Sequence, residues 1–255
     1  MDMIELRNIS KSFESHKVLD DLTLNVKRGS TFVVIGRSGC GKSVLLKHIE
    51  GLLKPDAGEI FVDGKSVLSM PAADMNSLRM KMGMVFQGGA LFDSLTVGEN
   101  VGFSLIEYSS LTKEQIYGRV EESLKLVGLS GIQELTPSEL SGGMRKRVAL
   151  ARAICTNPDI ILYDEPTTGV DPITADAIND LIRGLHDKLR VTSVVVTHDM
   201  KSAYKIADRI GMLYQGKLIA EGSPEEIQNS GNPFVHQFIN GLAQGPITDD
   251  IKRTL

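Results

Sequence analysis

A chain of 255 residues has the length of one large domain or of one domain with a sub-lobe, and its 42% hydrophobic content excludes a disordered polymer. Against 28 Lys and Arg stand 32 Asp and Glu, a formal charge of -4 that offers no bulk attraction to nucleic acid or to an anionic membrane surface. With no Trp and 5% aromatics there is no broad base-stacking platform, and two cysteines, Cys40 and Cys155, are too few for a disulfide framework or a structural zinc site.

From Met3 to Val26 apolar and polar residues alternate, as in Leu22, Leu24 and Val26 against Thr23 and Asn25, which predicts half-buried strands. The N-terminus carries Asp2 and Glu5 early and has no basic segment followed by a long apolar stretch, so a cytoplasmic location is expected. Thr31 to Ile35 is continuously apolar after its first residue and reads as a strand buried on both faces, followed by a helix running through Leu45, Ile49 and Leu52. Glu59 to Lys65 returns to alternation around an Asp63-Gly64 turn. Thr112 to Gln115 forms a capping box ahead of Ile116, Val120 and Leu124, with Gly128 as the stop. A second helix is expected to start near Ser141, and a third at Asp171-Pro172. Asp159 to Tyr163 and Thr192 to Thr197 are further buried strands, each leading into a helix, so the core is expected to be α/β with a helical lobe at about residues 89–155. No apolar run approaches the roughly 20 residues that span a bilayer. After Gly231-Asn232-Pro233 a short helix and a frayed end are expected.

Gly36-Arg37-Ser38-Gly39-Cys40-Gly41-Lys42-Ser43 satisfies G-x-x-x-x-G-K-[ST] between a predicted strand and a predicted helix. Glycines at 36, 39 and 41 let the backbone approach phosphate oxygens, so that N–H groups and the positive helix end face the anion. Lys42 would reach the terminal phosphates, and Ser43 would offer its hydroxyl to Mg²⁺. Asp164 and Glu165 close a buried strand at the sheet's carboxyl edge; adjacent residues point differently, so one can face the metal while the other polarises a water. His198 follows Val194-Val195-Val196-Thr197 and occupies an equivalent strand end. Ser141 caps a helix whose first N–H groups, beside Gly142 and Gly143, make a second anion site. Cys40, at a helix N-terminus near Lys42, has two readings, a thiol of lowered pKa open to alkylation and a small residue that fills space.

Leu140-Ser141-Gly142-Gly143-Met144 resembles the LSGGQ signature of the ATP-binding-cassette (ABC) ATPases, with Met144 in place of the usual glutamine. By the same resemblance Gln87, after Val85-Phe86, is the Q-loop residue and a metal ligand, Asp171 the D-loop aspartate, His198 the switch histidine, and Phe13 the aromatic that stacks on adenine. Thr168-Gly169-Val170-Asp171 departs from the commoner Ser-Ala-Leu-Asp, which puts the tuning of a dimer interface in doubt but removes no charged group. The resemblance covers about residues 3–225. It implies a P-loop NTPase (RecA-like) core with an antiparallel β subdomain and an α-helical subdomain, and a nucleotide-binding domain over residues 1–232 followed by an extension over 233–255. It also implies ATP and Mg²⁺ as cofactors. Catalysis would fall to Glu165, His198, Gln87 and Lys42, and nucleotide contacts to Phe13, Gly36, Ser38 to Ser43, Ser141, Gly142, Gly143 and Asp171. Metal ligation would fall to Ser43, Gln87 and Asp164. One P-loop and one signature per chain imply a head-to-tail homodimer holding two ATPs.

Gly88 to Val101, containing Ala90-Leu91-Phe92-Asp93-Ser94-Leu95-Thr96-Val97, is similar to the corresponding stretch of the ATPases of Mla/Mce-type lipid-transport systems. The tail Val235 to Gly241 with Gly245-Pro246 resembles the same subfamily, where an extension can clasp the neighbouring ATPase. These likenesses imply an integral-membrane permease and an Mce-domain protein as partners, a small regulatory subunit as a further one, no nucleic acid, and a peripheral place on the cytoplasmic face of the inner membrane. An importer of polar solutes and a soluble, non-transport cassette protein are the competing readings. The short spacing between Lys42 and Asp164 leaves no room for the long coiled-coil insertion of the repair proteins.

Overall fold

The computed structural model describes residues 1–254, and of residues 251–254 the backbone only. Strands β1 (Asp2–Phe13) and β2 (His16–Lys27) pair antiparallel, with Ile4 opposite Val26 and Leu6 opposite Leu24. With β4 (Ala57–Val62) and β5 (Lys65–Ser66), joined through the Asp63-Gly64 turn, they form a four-stranded sheet in the order β2-β1-β4-β5. The second sheet is built on β3 (Thr31–Ile35), β7 (Ile160–Asp164) and β8 (Thr192–Thr197), flanked by β6 (Met82–Val85), β9 (Arg209–Tyr214) and β10 (Lys217–Gly222). Its order is β10-β9-β3-β8-β7-β6, parallel throughout except for β10.

The central strands read as unbroken apolar runs because each contributes to two cores at once. Val33, Ile35, Ile161, Tyr163 and Val195 face a helical core, whereas Phe32, Val34, Ile160, Leu162, Val194 and Val196 face the antiparallel sheet and helix α1 (Lys42–Ile49). The period-two rule still holds, with both faces dry. Helix α1 is shorter than expected. Gly51, in a left-handed conformation, ends it, so Leu52 lies beyond the helix and is 59% exposed.

The middle of the chain supplies α2 (Ala72–Met80), then α3 (Val97–Tyr108), α4 (Lys113–Leu126) and α5 (Gly142–Ile154), the last three packed through Val101, Leu105, Val120, Leu124 and Val148. Thr112 and Gln115 form the predicted capping box, and Thr96 with Glu99 forms another at α3. Helices α6 (Pro172–Leu189) and α7 (Met200–Ile206) follow β7 and β8, and α8 (Pro224–Gln228) follows β10. The tail forms two helices, α9 (Pro233–Ile239) and α10 (Pro246–Thr254), which dock on each other in the same chain, and the very end, where fraying is expected, lies outside the described residues. Buried Gln237 accepts from the Ile247 amide at 2.8 Å and donates to Thr248 Oγ1 at 3.1 Å. No helix among the described residues is long and apolar enough to cross a membrane.

The parallel sheet meets α5 at Gly83, where a Cβ would lie 2.2 Å from the Ala153 carbonyl oxygen. Gly83→Ala should therefore destabilise the fold by about 1–3 kcal/mol as β6 and α5 are forced apart. Gly118→Ala, exposed in α4 with no heavy atom within 4 Å of the added carbon, should instead stabilise it by about 0.5–1 kcal/mol. Urea midpoints of the two variants check both signs.

Candidate active site

Three loops leave the carboxyl edge of the parallel sheet side by side, because Ile35 pairs with Thr197 and Asp164 with Val196 in register. The loop after β3 carries Gly36, Gly39 and Gly41, all at positive φ. A Cβ on Gly36 would stand 2.5 Å from the Leu213 carbonyl oxygen and 2.8 Å from Cys40 Sγ, and one on Gly41 would stand 3.0 Å from the Val18 carbonyl oxygen. Beside Gly39 the space is open. The loop is therefore packed from behind and free in front, which is the form of an anion cradle.

Lys42 opens α1 and is 6% exposed. Its ammonium donates to the carbonyls of Gly36 at 2.8 Å and Arg37 at 3.1 Å, and lies 3.4 Å from Glu165 Oε1. Glu165, 8% exposed, sits just past β7 at φ 49, a left-handed backbone that is costly for a residue with a Cβ. Its amide donates to the Val196 carbonyl at 3.0 Å, and its Oε2 lies 2.8 Å from His198 Nδ1 and accepts from Thr168 Oγ1 at 3.2 Å. Asp164 points elsewhere. Its Oδ1 accepts from Ser43 Oγ at 3.0 Å, and burial pushes its carboxyl above the usual range against the opposing pull of the Ser43 hydroxyl. The two adjacent carboxylates thus serve different neighbours.

Phe13, His16, Ser38, Gly39, Gly41, Lys42, Ser43, Gln87, Glu165 and His198 line one cleft of about 350 Å³, a size suited to a small ligand. Phe13 is half exposed at its rim with the Lys11 ammonium 5.6 Å from the ring centroid. The other predicted group lies outside this cleft. Ser141 caps α5, its Oγ accepting from the Met144 amide at 3.2 Å, and Asp171 caps α6, accepting from the amides of Ile173 and Thr174 at 3.0 Å. The Thr174 hydroxyl, donating at 2.6 Å, holds the Asp171 carboxyl below its ordinary range. A Cβ on Gly143 would stand 3.1 Å from Thr174 Cγ2, so Ser141, Gly142, Gly143 and Asp171 form a second, contiguous patch.

Of the two readings of Cys40, the structure favours the space-filling one. Burial pushes its thiol up, outweighing the nearby Lys42 charge, and Sγ packs against Gly36, so the residue fills space and is not a lowered-pKa nucleophile. Two residues escaped the sequence reading. Asn100 is fully buried; its carboxamide accepts from the Phe92 amide at 2.7 Å and donates to the carbonyls of Phe92, Leu95 and Thr96, fixing the segment that exposes Phe92. Glu50, at the end of α1, has a buried Oε2 without a hydrogen-bond partner among the described residues; burial raises its carboxyl to about 7, and Asp164 pushes the same way. An Asx or acidic residue at such positions carries no local signal, since the folding that buries it is long-range.

A strand-to-helix phosphate loop, a serine and a carboxylate placed for a divalent cation, and a remote capped signature define an ATP-binding cassette. The sequence model of the ABC transporter family matches residues 19–168, and the chain belongs to that family as an ATPase cassette. It is 41% identical to the intermembrane phospholipid transport system ATP-binding protein MlaF of Escherichia coli K12, over 96% of this chain and 91% of that protein. The identity is 42% with the chloroplast protein TRIGALACTOSYLDIACYLGLYCEROL 3 of Arabidopsis thaliana, over 96% of this chain and 75% of that one. With the probable ribonucleotide transport ATP-binding protein mkl of Mycobacterium leprae it is 40%, over 96% and 70%. Among solved structures, a dimeric post-hydrolysis state of the cassette MJ0796 bound to ADP and Pi superposes with a TM-score of 0.79 at 35% identity, over 87% of this chain and 99% of that one.

The buried carboxyl of Glu50 gives a pH test. A folded pKa of about 7 against 4.5 for a free carboxyl of this kind means the fold favours the protonated form, so the penalty is absent below pH 4.5, grows up to about pH 7 and is complete above it. Glu50→Gln should therefore gain about 3 kcal/mol at pH 8 and nothing at pH 4, read from urea unfolding of the nucleotide-free protein.

Proposed function

We propose that this chain is the ATP-hydrolysing subunit of a membrane ABC transporter that moves phospholipid or a related lipid, working as a homodimer on the cytoplasmic face of the membrane beneath a separate permease. In this reading residues 1–232 are the nucleotide-binding domain, with its helical subdomain at about 89–155, and residues 233–255 an extension. The observation that carries the catalytic part is the division of phosphate-directed residues into two patches of one chain. The cleft holds Lys42, Ser43, Glu165 and His198, with Asp164 joined to it through Ser43, and the caps of α5 and α6 hold Ser141 and Asp171. A second copy, facing head to tail, brings the missing patch to each cleft. The dimeric MJ0796 cassette with ADP and Pi supports that arrangement.

The residues present fit ATP and Mg²⁺. The glycine loop has open space at Gly39, and no cluster of three His, Cys, Asp or Glu that could hold a metal alone occurs among the described residues. Ser43 and Asp164, 3.0 Å apart, would hold the ion together with Gln87. Bound there, Mg²⁺ supplies charge neutralisation of the phosphates. Lys42, held against its own loop by two carbonyls, binds the terminal phosphates. Glu165, oriented by His198, Thr168 and its backbone, accepts the proton of the attacking water, and His198 stays beside it toward the γ-phosphate. Phe13 stacks on the adenine.

The lipid assignment rests on the likeness of Phe92 to Val101 to lipid-transport ATPases, on the phospholipid transport named for MlaF and on the glycolipid in the name of the Arabidopsis relative. An Mce-domain protein is the partner this implies. The ribonucleotide in the name of the mycobacterial relative favours a polar-solute reading as the second choice.

Glu165→Gln should keep ATP binding, lower turnover by about 10²–10⁴-fold and leave a dimer trapped in ATP, whereas Lys42→Ala should weaken ATP binding itself. Calorimetry, phosphate release and light scattering separate the two, and wild-type turnover by Glu165→Gln refutes its role. Purification of the native complex should recover a permease, an Mce-domain protein and bound phospholipid; recovery of a soluble assembly alone overturns the transport reading.

A further inference from the structure

Helix α5 carries Arg145, Lys146, Arg147 and Arg152, a basic run whose ordinary place would be a solvated face. Two of these point inward. Lys146 is 7% exposed, and its ammonium donates to the main-chain carbonyl of Gln87. Arg152 donates through Nη2 to the Gly89 carbonyl at 2.7 Å and through Nη1 to the Ala90 carbonyl at 2.6 Å. Ala149 lies between them on the helix, and its Cβ would be 3.7 Å from a Cβ on Gly89.

The segment so held is bent to present those oxygens. Gly89 and Ala90 both have positive φ, which for Ala90 costs energy that the surroundings must offset, and the Gly89 amide closes a tight turn onto the Phe86 carbonyl at 2.8 Å. Burying a cationic side chain is expensive unless it is hydrogen-bonded, so breaking either tie leaves a stranded charge and not a neutral surface change. Lys146 also lies close enough to Glu165 for that carboxylate to favour its charged form, against a burial that pushes the amine down. One rigid element of 13 residues, about 20 Å long, therefore has the Ser141 cap at its tip and three hydrogen bonds to the Gln87 segment along its side.

We propose that Lys146 and Arg152 are positioning residues that clamp the segment Gln87 to Ala90 to α5, so that a nucleotide met by the Ser141 end of the helix sets where Gln87 sits in the cleft of the same chain. The proposal rests on the ATPase reading above. It makes the occupancy of one cleft felt in the other through a single helix, with Gln87 carried by its main chain.

Because the chain has no Trp, Phe86→Trp places one emission reporter next to Gln87. In that background Lys146→Met, Arg152→Met and Lys146→Arg are compared for thermal midpoint, ATP KM, kcat and the emission change on adding ATP. The clamp predicts that both methionine variants keep KM within about twofold, lose about tenfold in kcat and lose the emission change, and that Lys146→Arg restores both. Full kcat with an unchanged emission response in Lys146→Met and Arg152→Met overturns it. If Lys146→Met does not fold, Lys146→Ala, which also removes the donor, carries the same comparison together with Arg152→Met. Failure of the unsubstituted reporter chain to hydrolyse ATP counts against the ATPase reading alone, since the emission change needs only nucleotide binding and still decides the clamp.

Discussion

The alignment of three parallel strands governs the chemistry of this protein. Ile35, Asp164 and Thr197 end β3, β7 and β8 within one residue of the same level, since the ladder sets Ile35 opposite Thr197 and Asp164 opposite Val196, and the phosphate loop, the two carboxylates and His198 leave from there. Both faces of these strands are buried, so a slip of one residue would exchange every side chain between the two cores. The dense packing that forbids such a slip is what keeps Lys42, Glu165 and Ser43 within hydrogen-bonding distance of groups more than a hundred residues away in sequence.

Within that frame, charges are buried only where they are shared. Lys42 has two carbonyls and a carboxylate, Lys146 the Gln87 carbonyl and the field of Glu165, and Glu165 itself Lys42, His198 and Thr168. Such an arrangement adds little net stability after desolvation but defines positions narrowly. The caps of α5 and α6, Ser141 and Asp171, are by contrast exposed, which is what the proposed pairing with a second copy requires.

Much of this was legible in the sequence where the signal is local. The glycine loop between strand and helix, the capping serine at 141, Asp171-Pro172 at the head of α6 and the capping box at Thr112 are all set within a few residues of chain, and the structure has them at those places. Strand ends read from the sequence and the family resemblance together named Lys42, Ser43, Glu165, His198, Gln87 and Phe13, which line one cleft, while Asp164 reaches its edge through Ser43. What failed was set by a local stop that outweighed the apolar period, and by burial. Leu52 kept the helical period but fell past Gly51. Cys40 took its thiol chemistry from burial against Gly36, not from its place at a helix end. The inward turn of Lys146 and Arg152 depends on a loop some sixty residues earlier, and the seat of Asn100 and the unpaired oxygen of Glu50 depend on a core that no periodicity reveals.

The left-handed backbone of Glu165 carries an evolutionary corollary. Glycine adopts that conformation freely, so replacing the carboxylate by glycine would relieve about 1–2 kcal/mol of steric strain, but it would also take from the buried Lys42 ammonium the carboxylate beside it. The strain at this position and the charge it serves are thus tied together. A duplicated copy released from selection for hydrolysis would shed the strain without loss only if position 42 changed as well, so the two positions are expected to drift as a pair.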